Sequence, residues 1–286
     1  MIQLGDIRAH LICESSYHID PGGAYGLVPR ALWSRYSAPD ADHLVPMVST
    51  VLLVQTGGLN VLVDAGRGDK TPAKAAAFLK LERPGGGLSG ALARLGLAPA
   101  DIHLVIDTHL HDDHCGGNTV FDAAGGIVPA FPNAEYVVQR REYEDAGRPN
   151  ERTRATYLAA NFQMLVESGQ MRLLDGDAEL APGVRGVVTP GHTPGHMSVM
   201  LESQGQRALF VGDLASFAVH FERLGWMTAY DVEPLVTLET KRRWQQWALD
   251  TGALLMFVHD PERRAGRLTL DAEGRPALAV VDEPYT

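Results

Sequence analysis

Leu104-Val-Ile-Asp-Thr-His109-Leu-His111-Asp-Asp113-His114-Cys-Gly-Gly-Asn118 is the stretch on which the reading of the whole chain turns. An apolar run ends, and the chain then presents His109, His111 and His114 with Asp112 and Asp113 before Gly116 and Gly117 break the pattern. A strand that runs into a polar, glycine-terminated turn can aim several side chains at one point. Imidazole nitrogen and carboxylate oxygen suit zinc and its first-row neighbours. His109 and His111 alternate, so both lean to one side of an extended segment, while Asp113 and His114 continue around the turn. The competing reading is a polar loop with scattered histidines, in a chain that holds 11 His among 286 residues.

Further donor-bearing segments lie on either side of this stretch. Upstream, the apolar run Asn60 to Val63 ends in Asp64-Ala65-Gly66; downstream come Gly191-His192-Thr-Pro-Gly-His196, Phe210-Val-Gly-Asp213 and Met256-Phe-Val-His259-Asp260. The H-x-H-x-D-H run together with these segments, in this order, resembles the metallo-β-lactamase superfamily. The resemblance implies an α/β (α+β) fold, a four-layer αβ/βα sandwich with its ligands along one edge. It implies that His109, His111 and His192 hold one metal ion, that Asp113, His114 and His259 hold a second, and that Asp213 bridges the two. Two divalent ions are then expected, zinc first, although the same donors accommodate manganese, iron or cobalt. Asp64 and His196 are expected behind the ligands, each orienting one of them by hydrogen bonding. Asp64 could instead be a turn-forming residue.

The composition is consistent with that fold. Hydrophobic content of 45% and charged content of 21% are those of a globular chain. The net charge of −10 argues against nucleic acid as a partner, because phosphate binding needs basic surface. Cys13 and Cys115 are too few for a disulfide framework. Cys115 follows the histidine cluster and is either a thiolate ligand or a small buried residue, the latter being favoured because nitrogen and oxygen donors already suffice. Neither a basic leader with an apolar run nor an apolar segment of membrane-spanning length is visible, so the expected location is cytoplasmic, with no membrane partner.

Taken in order, Ile7 to Ile12 reads as a strand, and residues 15–46 as a long aperiodic loop that lines the pocket or supports a homodimer. Ser49 to Gln55 and Asn60 to Val63 form a hairpin. Thr71-Pro72 opens a helix to Leu81 with Thr71 as its cap, and Leu88 to Leu95 forms a short second helix. Glu135 to Gln139 is a strand, with helical stretches at Arg140 to Asp145 and Ala155 to Glu167. Met171 to Leu174, Val184 to Thr189, Ser198 to Leu201, Ala208 to Val211 and Ala253 to Val258 are strands, and Glu233 to Asp250 is the longest helix. Leu268 to Leu270 and Ala277 to Val281 close the chain as a hairpin. With no shift in composition, residues 1–286 are expected to form a single domain.

The implied chemistry is hydrolysis, with a hydroxide between the ions attacking a small-molecule substrate and Asp113 orienting it and passing a proton. The nearest resemblance is to the branch of N-acyl-homoserine lactonases and methyl-parathion-hydrolase-like enzymes. A small ester or lactone is the implied substrate, with promiscuous phosphotriesterase activity. One group of those lactonases carries a Tyr shortly after the bridging Asp; Leu214-Ala215-Ser216-Phe217 lacks one, which leaves Tyr230 or Tyr25 to substitute. His220 is read as a catalytic or substrate contact, and Trp33, Phe217, Trp226 and Tyr230 as substrate-binding; the alternative for each is structural packing. Asp260 either orients His259 or starts the turn at Pro261. The rival readings are a thioester or β-lactam hydrolase of the same fold and a non-catalytic metal-binding scaffold.

Overall fold

The computed structural model describes residues 1–281, so residues 282–286 of the expected domain lie outside the described residues. Strands β1 (Ile2–Leu4), β2 (Ile7–Ile19), β3 (Val45–Thr56), β4 (Leu59–Val63) and β5 (Leu104–Ile106) lie side by side. A separate pair, β6 (Thr119–Phe121) and β7 (Ile127–Pro129), follows, and β8 (Glu135–Gln139) and β9 (Met171–Leu174) then complete the first sheet beside β5. The second sheet takes its strands in chain order: β10 (Ala178–Ala181), β11 (Val184–Val188), β12 (Met197–Ser203), β13 (Gln206–Phe210), β14 (Leu254–Met256), β15 (Ala265–Leu270) and β16 (Pro276–Val280).

The two sheets face one another across an apolar layer. Leu52, Val54, Val61, Val63, Ile106 and Val137 from the first meet Val184, Val199, Leu201, Phe210, Met256 and Val258 from the second. Their alternate neighbours point outward and are covered as well. Leu53, Leu62 and Val105 lie under Leu88 and Leu92 of the helix Gly87–Arg94. Leu209, Leu255 and Phe257 lie under Trp244 and Ala248 of the helix Pro234–Thr251. Strands covered on both faces read as continuous apolar runs, which is why β4, β5, β13 and β14 carry so few polar side chains. The result is the expected αβ/βα sandwich.

Parallel pairing fixes where the site lies. β4, β5 and β8 run parallel, as do β13 and β14. Asp64 and His109 therefore leave the first sheet at one edge, and Asp213 and His259 leave the second at one edge.

Three local expectations are corrected. β2 continues to Ile19, pairing Tyr17 with Met47 and Ile19 with Val45, so the loop is limited to residues 20–44 and carries short helices at Pro21–Tyr25 and Arg30–Trp33. A register shift between Cys13 and Ser15 interrupts the alternation and hid this extension. The first helix begins after Pro72, with no side-chain cap from Thr71. Ala155 to Glu167 is not a continuous helix, because Tyr157 forms a strand-like bridge with His111 and only Gln163–Glu167 is α-helical.

Candidate metal centre

The donors gather at the sheet edges. After β5 the chain passes through Asp107 and Thr108 to His109, and His111 precedes the single helical turn Asp112–Cys115. His192 follows β11, Asp213 sits in the 3-10 turn Gly212–Ala215 after β13, and His259 follows β14. Two groups of ligand atoms result, His109 with His111, His192 and Asp213, and Asp113 with His114 and His259; within each group the atoms lie within 4.8 Å of one another. Asp213 touches both. Its Oδ2 lies 3.2 Å from His192 Nε2 and 4.0 Å from His109 Nε2, and its Oδ1 lies 3.2 Å from His259 Nε2.

Hydrogen bonds on the outer side of the rings fix which nitrogens are bare. Asp64 Oδ1 accepts from the Thr108 backbone N–H at 2.8 Å, and its Oδ2 accepts from the Thr108 hydroxyl at 3.0 Å. That hydroxyl, its proton committed, accepts from His109 Nδ1 at 3.1 Å, and Asp64 Oδ2 also accepts from His114 Nδ1 at 2.9 Å. His259 Nδ1 donates to the Val48 carbonyl at 2.7 Å, and His192 Nδ1 to Asp231 Oδ1 at 3.0 Å. In the neutral form of each of these four rings Nε2 is therefore a lone pair facing inward. His114 Nε2 and His259 Nε2 face each other at 3.1 Å, and His109 Nε2 is buried with no hydrogen-bond partner among the described residues. Lone pairs directed at one another and at a shared carboxylate repel unless a cation lies between them, so this donor set fits divalent ions.

The electrostatics divide the donors. Burial, reinforced by neighbouring imidazoles, pushes the pKa of His109 and His111 well down. Burial acts likewise on His114, but Asp113, Asp213 and Asp64 outweigh it and raise its pKa well above the ordinary value. Burial works against the charge of Asp213 too, yet His259, His192 and His114 hold its carboxyl well below the usual range. Buried anions survive only when paired or bound to metal.

His196 is not among the gathered donors. Its Nδ1 is 3.1 Å from the Thr189 carbonyl, and its Nε2 accepts the backbone N–H of Asp213 at 3.0 Å. Gly212 has φ +59°, and a Cβ there would lie 2.7 Å from His196 Nε2, so this approach requires glycine. Cys115 is buried and donates to the Leu110 carbonyl, away from the donors. Asp260 starts the following turn, accepting from the backbone N–H groups of Glu262 and Arg263.

A cleft of about 240 Å³ opens over the centre, lined by His111, Asp113, Asp213 and His259 and walled by Tyr17, Ile19, Met47, Arg67, Leu79 and Tyr230. Of the expected substrate contacts only Tyr230 lines it. Trp33 and Phe217 stack on the two sides of Tyr25 at 5.4 and 5.5 Å, and Trp226 packs against this buried cluster. His220 is buried too, its ring edge-on to Tyr25 and Phe217, and burial lowers its pKa to about 3. These side chains fill the space behind the wall, where their apolar area is removed from water. Tyr25 bonds to Ser37 inside the same cluster.

Sequence reasoning missed four supports. Asp231 holds His192, and Arg67 lies beside Asp112 and Asp113. Tyr17 donates to Asp113 Oδ2 at 3.1 Å. Buried Glu142 accepts from the Leu110 N–H, the Tyr157 hydroxyl and the Thr193 hydroxyl, tying the segments of His111 and His192 together. Each is a lone residue outside any motif; for Glu142 the only signal is an acidic residue on the inner face of a helix.

A family model, the metallo-beta-lactamase superfamily, matches residues 44–249. An N-acyl homoserine lactonase of a Bacillus species is 32% identical over 176 residues, 61% of this chain and 62% of that protein. One of Bacillus cereus is 31% identical over the same shares. The chain thus aligns with just over three fifths of the length of these relatives. Among solved structures, a probable metal-dependent hydrolase from Staphylococcus aureus is similar with a TM-score of 0.87 and 29% identity, covering 98% of this chain and 99% of that one. A dizinc quorum-quenching lactonase in complex with a product, at 21% identity and a TM-score of 0.79, shares the fold over 98% of this chain and 97% of its own.

Proposed function

The chain belongs to the metallo-β-lactamase superfamily, and from that premise we propose that it is a dinuclear metal-dependent hydrolase of small esters or lactones. The observation that carries the proposal is the set of inward-facing Nε2 lone pairs, their tautomers fixed from behind, gathered around the two oxygens of Asp213. His109, His111 and His192 would hold one ion, Asp113, His114 and His259 the other, and Asp213 both. Bound there, a pair of zinc, manganese, iron or cobalt ions would acidify water from a pKa of ~15.7 towards ~7 and polarise the scissile bond.

The chain's own residues supply the rest. Asp113 borders the cleft with one oxygen held by Tyr17, in a position to orient the attacking group and carry a proton to the leaving oxygen. Ile19, Met47 and Leu79 offer an apolar wall for a substrate's hydrocarbon part, and Tyr230 stands opposite as a polar-tipped contact. Tyr230 and Tyr17 take the place of the hydroxylated aromatic that is missing after Asp213. Lactonase activity in relatives 31–32% identical supports a carbonyl substrate, and phosphotriesters make similar demands on the metal pair.

A screen of lactones, aryl esters and phosphotriesters against zinc, manganese and cobalt forms tests the reading. Turnover of a lactone or ester that chelator abolishes and metal restores is the expected result. A protein carrying two ions per chain that hydrolyses none of these compounds would overturn the substrate class.

A further inference from the structure

The two donor groups differ in what stands beside them. Both have a carboxylate behind an imidazole: in the first, Asp231 accepts from His192 and Thr108 relays His109 to Asp64, and in the second Asp64 accepts directly from His114. A carboxylate behind an imidazole raises its basicity and its hold on metal. Only the second group also has a cation beside it among the described residues. Arg67 Nη1 donates to Asp112 Oδ2 at 2.8 Å, and its Nη2 is 3.6 Å from Asp113 Oδ2.

β2 holds that cation in place. Buried Glu14 accepts the backbone N–H of Arg67 at 3.1 Å, and Gly66, at φ +71°, passes so close that a Cβ would lie 2.5 Å from Glu14 Cγ. The Arg67 guanidinium carbon lies 4.3 Å above the centre of the Tyr17 ring. The Tyr17 hydroxyl donates to the same Asp113 oxygen that faces Arg67. Asp113 is thus gripped through Oδ2, which also lies 3.6 Å from His259 Nε2, while Oδ1 lies 3.8 Å from His114 Nε2. Asp112 takes the shorter contact with Arg67, which leaves most of the Asp113 charge for a cation in the second position.

We propose that Tyr17, Arg67 and Asp112 are positioning residues that set the affinity of the second ion position independently of the first, and make it the position that exchanges. The proposal rests on the dinuclear reading. Tyr17→Phe removes the grip on Asp113 without changing charge. Asp112→Asn frees Arg67 to close onto Asp113 and compete with the ion.

The experiment counts zinc or cobalt ions retained per chain across a chelator titration of the full-length protein, with His259→Ala marking which release belongs to the second position. Wild type is expected to release two ions in two steps, the second position first. In both variants that step moves about 10–100-fold towards lower chelator, while the other step shifts by less than about threefold. Melting of the metal-free proteins, compared in parallel, checks that the variants fold. Two steps moving together, or neither moving in either variant, would overturn the proposal while leaving the metal centre intact. A wild-type chain that retains no ion would instead overturn the dinuclear reading on which the proposal stands.

Discussion

The two sheets bring donors to the centre by opposite means. After β5 of the first sheet, His109, His111, Asp113 and His114 come from one short segment. The second sheet sends His192, Asp213 and His259 singly, from three strand ends spread along the C-terminal half. Their supports differ in the same way. Asp64, at the end of the neighbouring strand β4, steadies His109 through Thr108 and His114 directly. It does so at φ +59°, a left-handed conformation for a non-glycine residue and a sign of strain retained at a working position. His192, Asp213 and His259 each have a private support, namely Asp231, His196 and the Val48 carbonyl. One half of the centre is therefore built as a unit, and the other as separate parts, of which the His192 segment is tied to the first through Glu142.

Variants can break or sharpen that contrast. The largest effect is expected at Asp213, the residue common to both groups. Asp213→Ala should lower kcat/KM by more than about a hundredfold, measured on the best ester or lactone of the screen, with circular dichroism near that of wild type. Asp64→Ala comes next. It strands the Thr108 N–H, the Thr108 hydroxyl and His114 Nδ1 together, so affinity should fall at both ion positions by about 10–100-fold. Thermal melting of the metal-free form should show a loss of about 1–3 kcal/mol for each buried group left unpaired. Asp231→Ala should weaken only the position held by His192, which chelator titration would resolve; equal loss at both positions would contradict the independence of the second half.

A separate effect, on stability alone, concerns the segment that carries Asp231. Lys241, buried in the helix Pro234–Thr251, donates to the carbonyls of His220 and Trp226, and burial lowers its pKa to about 8. Between pH 8 and the ordinary lysine value of about 10.5 the unfolded chain binds more protons than the folded one, so stability rises with pH across that window. Denaturant melts should show wild type gaining up to about 3 kcal/mol relative to Lys241→Met between pH 8 and 10.5. A constant difference between the two proteins would show that Lys241 is not the titrating group.

The same contrast explains what could be read from the sequence. The first half's donors are contiguous, and their spacing alone announces a site. The second half's donors become legible only through their order after apolar runs, because β13 and β14 are covered on both faces and end abruptly in Asp213 and His259. Asp231, Arg67 and Glu142 stayed hidden, since each meets its partner only through tertiary packing, across 39 positions for Asp231 and His192. Trp33, Phe217 and Trp226 were misplaced for a different reason. Aromatic composition reports a large area to bury but not on which side of a wall, and here they pack behind the cleft with Tyr25. The end of β2 was obscured by a bulge, which moved Tyr17 from an apparent loop to a strand facing Asp113.

The central claim is that Asp213 joins two ions held by donors from opposite sheets. Electron paramagnetic resonance of the fully cobalt-loaded protein tests it most directly. Two ions bridged through Asp213 should couple, giving a signal much weaker than that of two isolated cobalt ions, and Asp213→Asn should restore the uncoupled signal. Independent signals from wild type at two cobalt ions per chain would contradict the account.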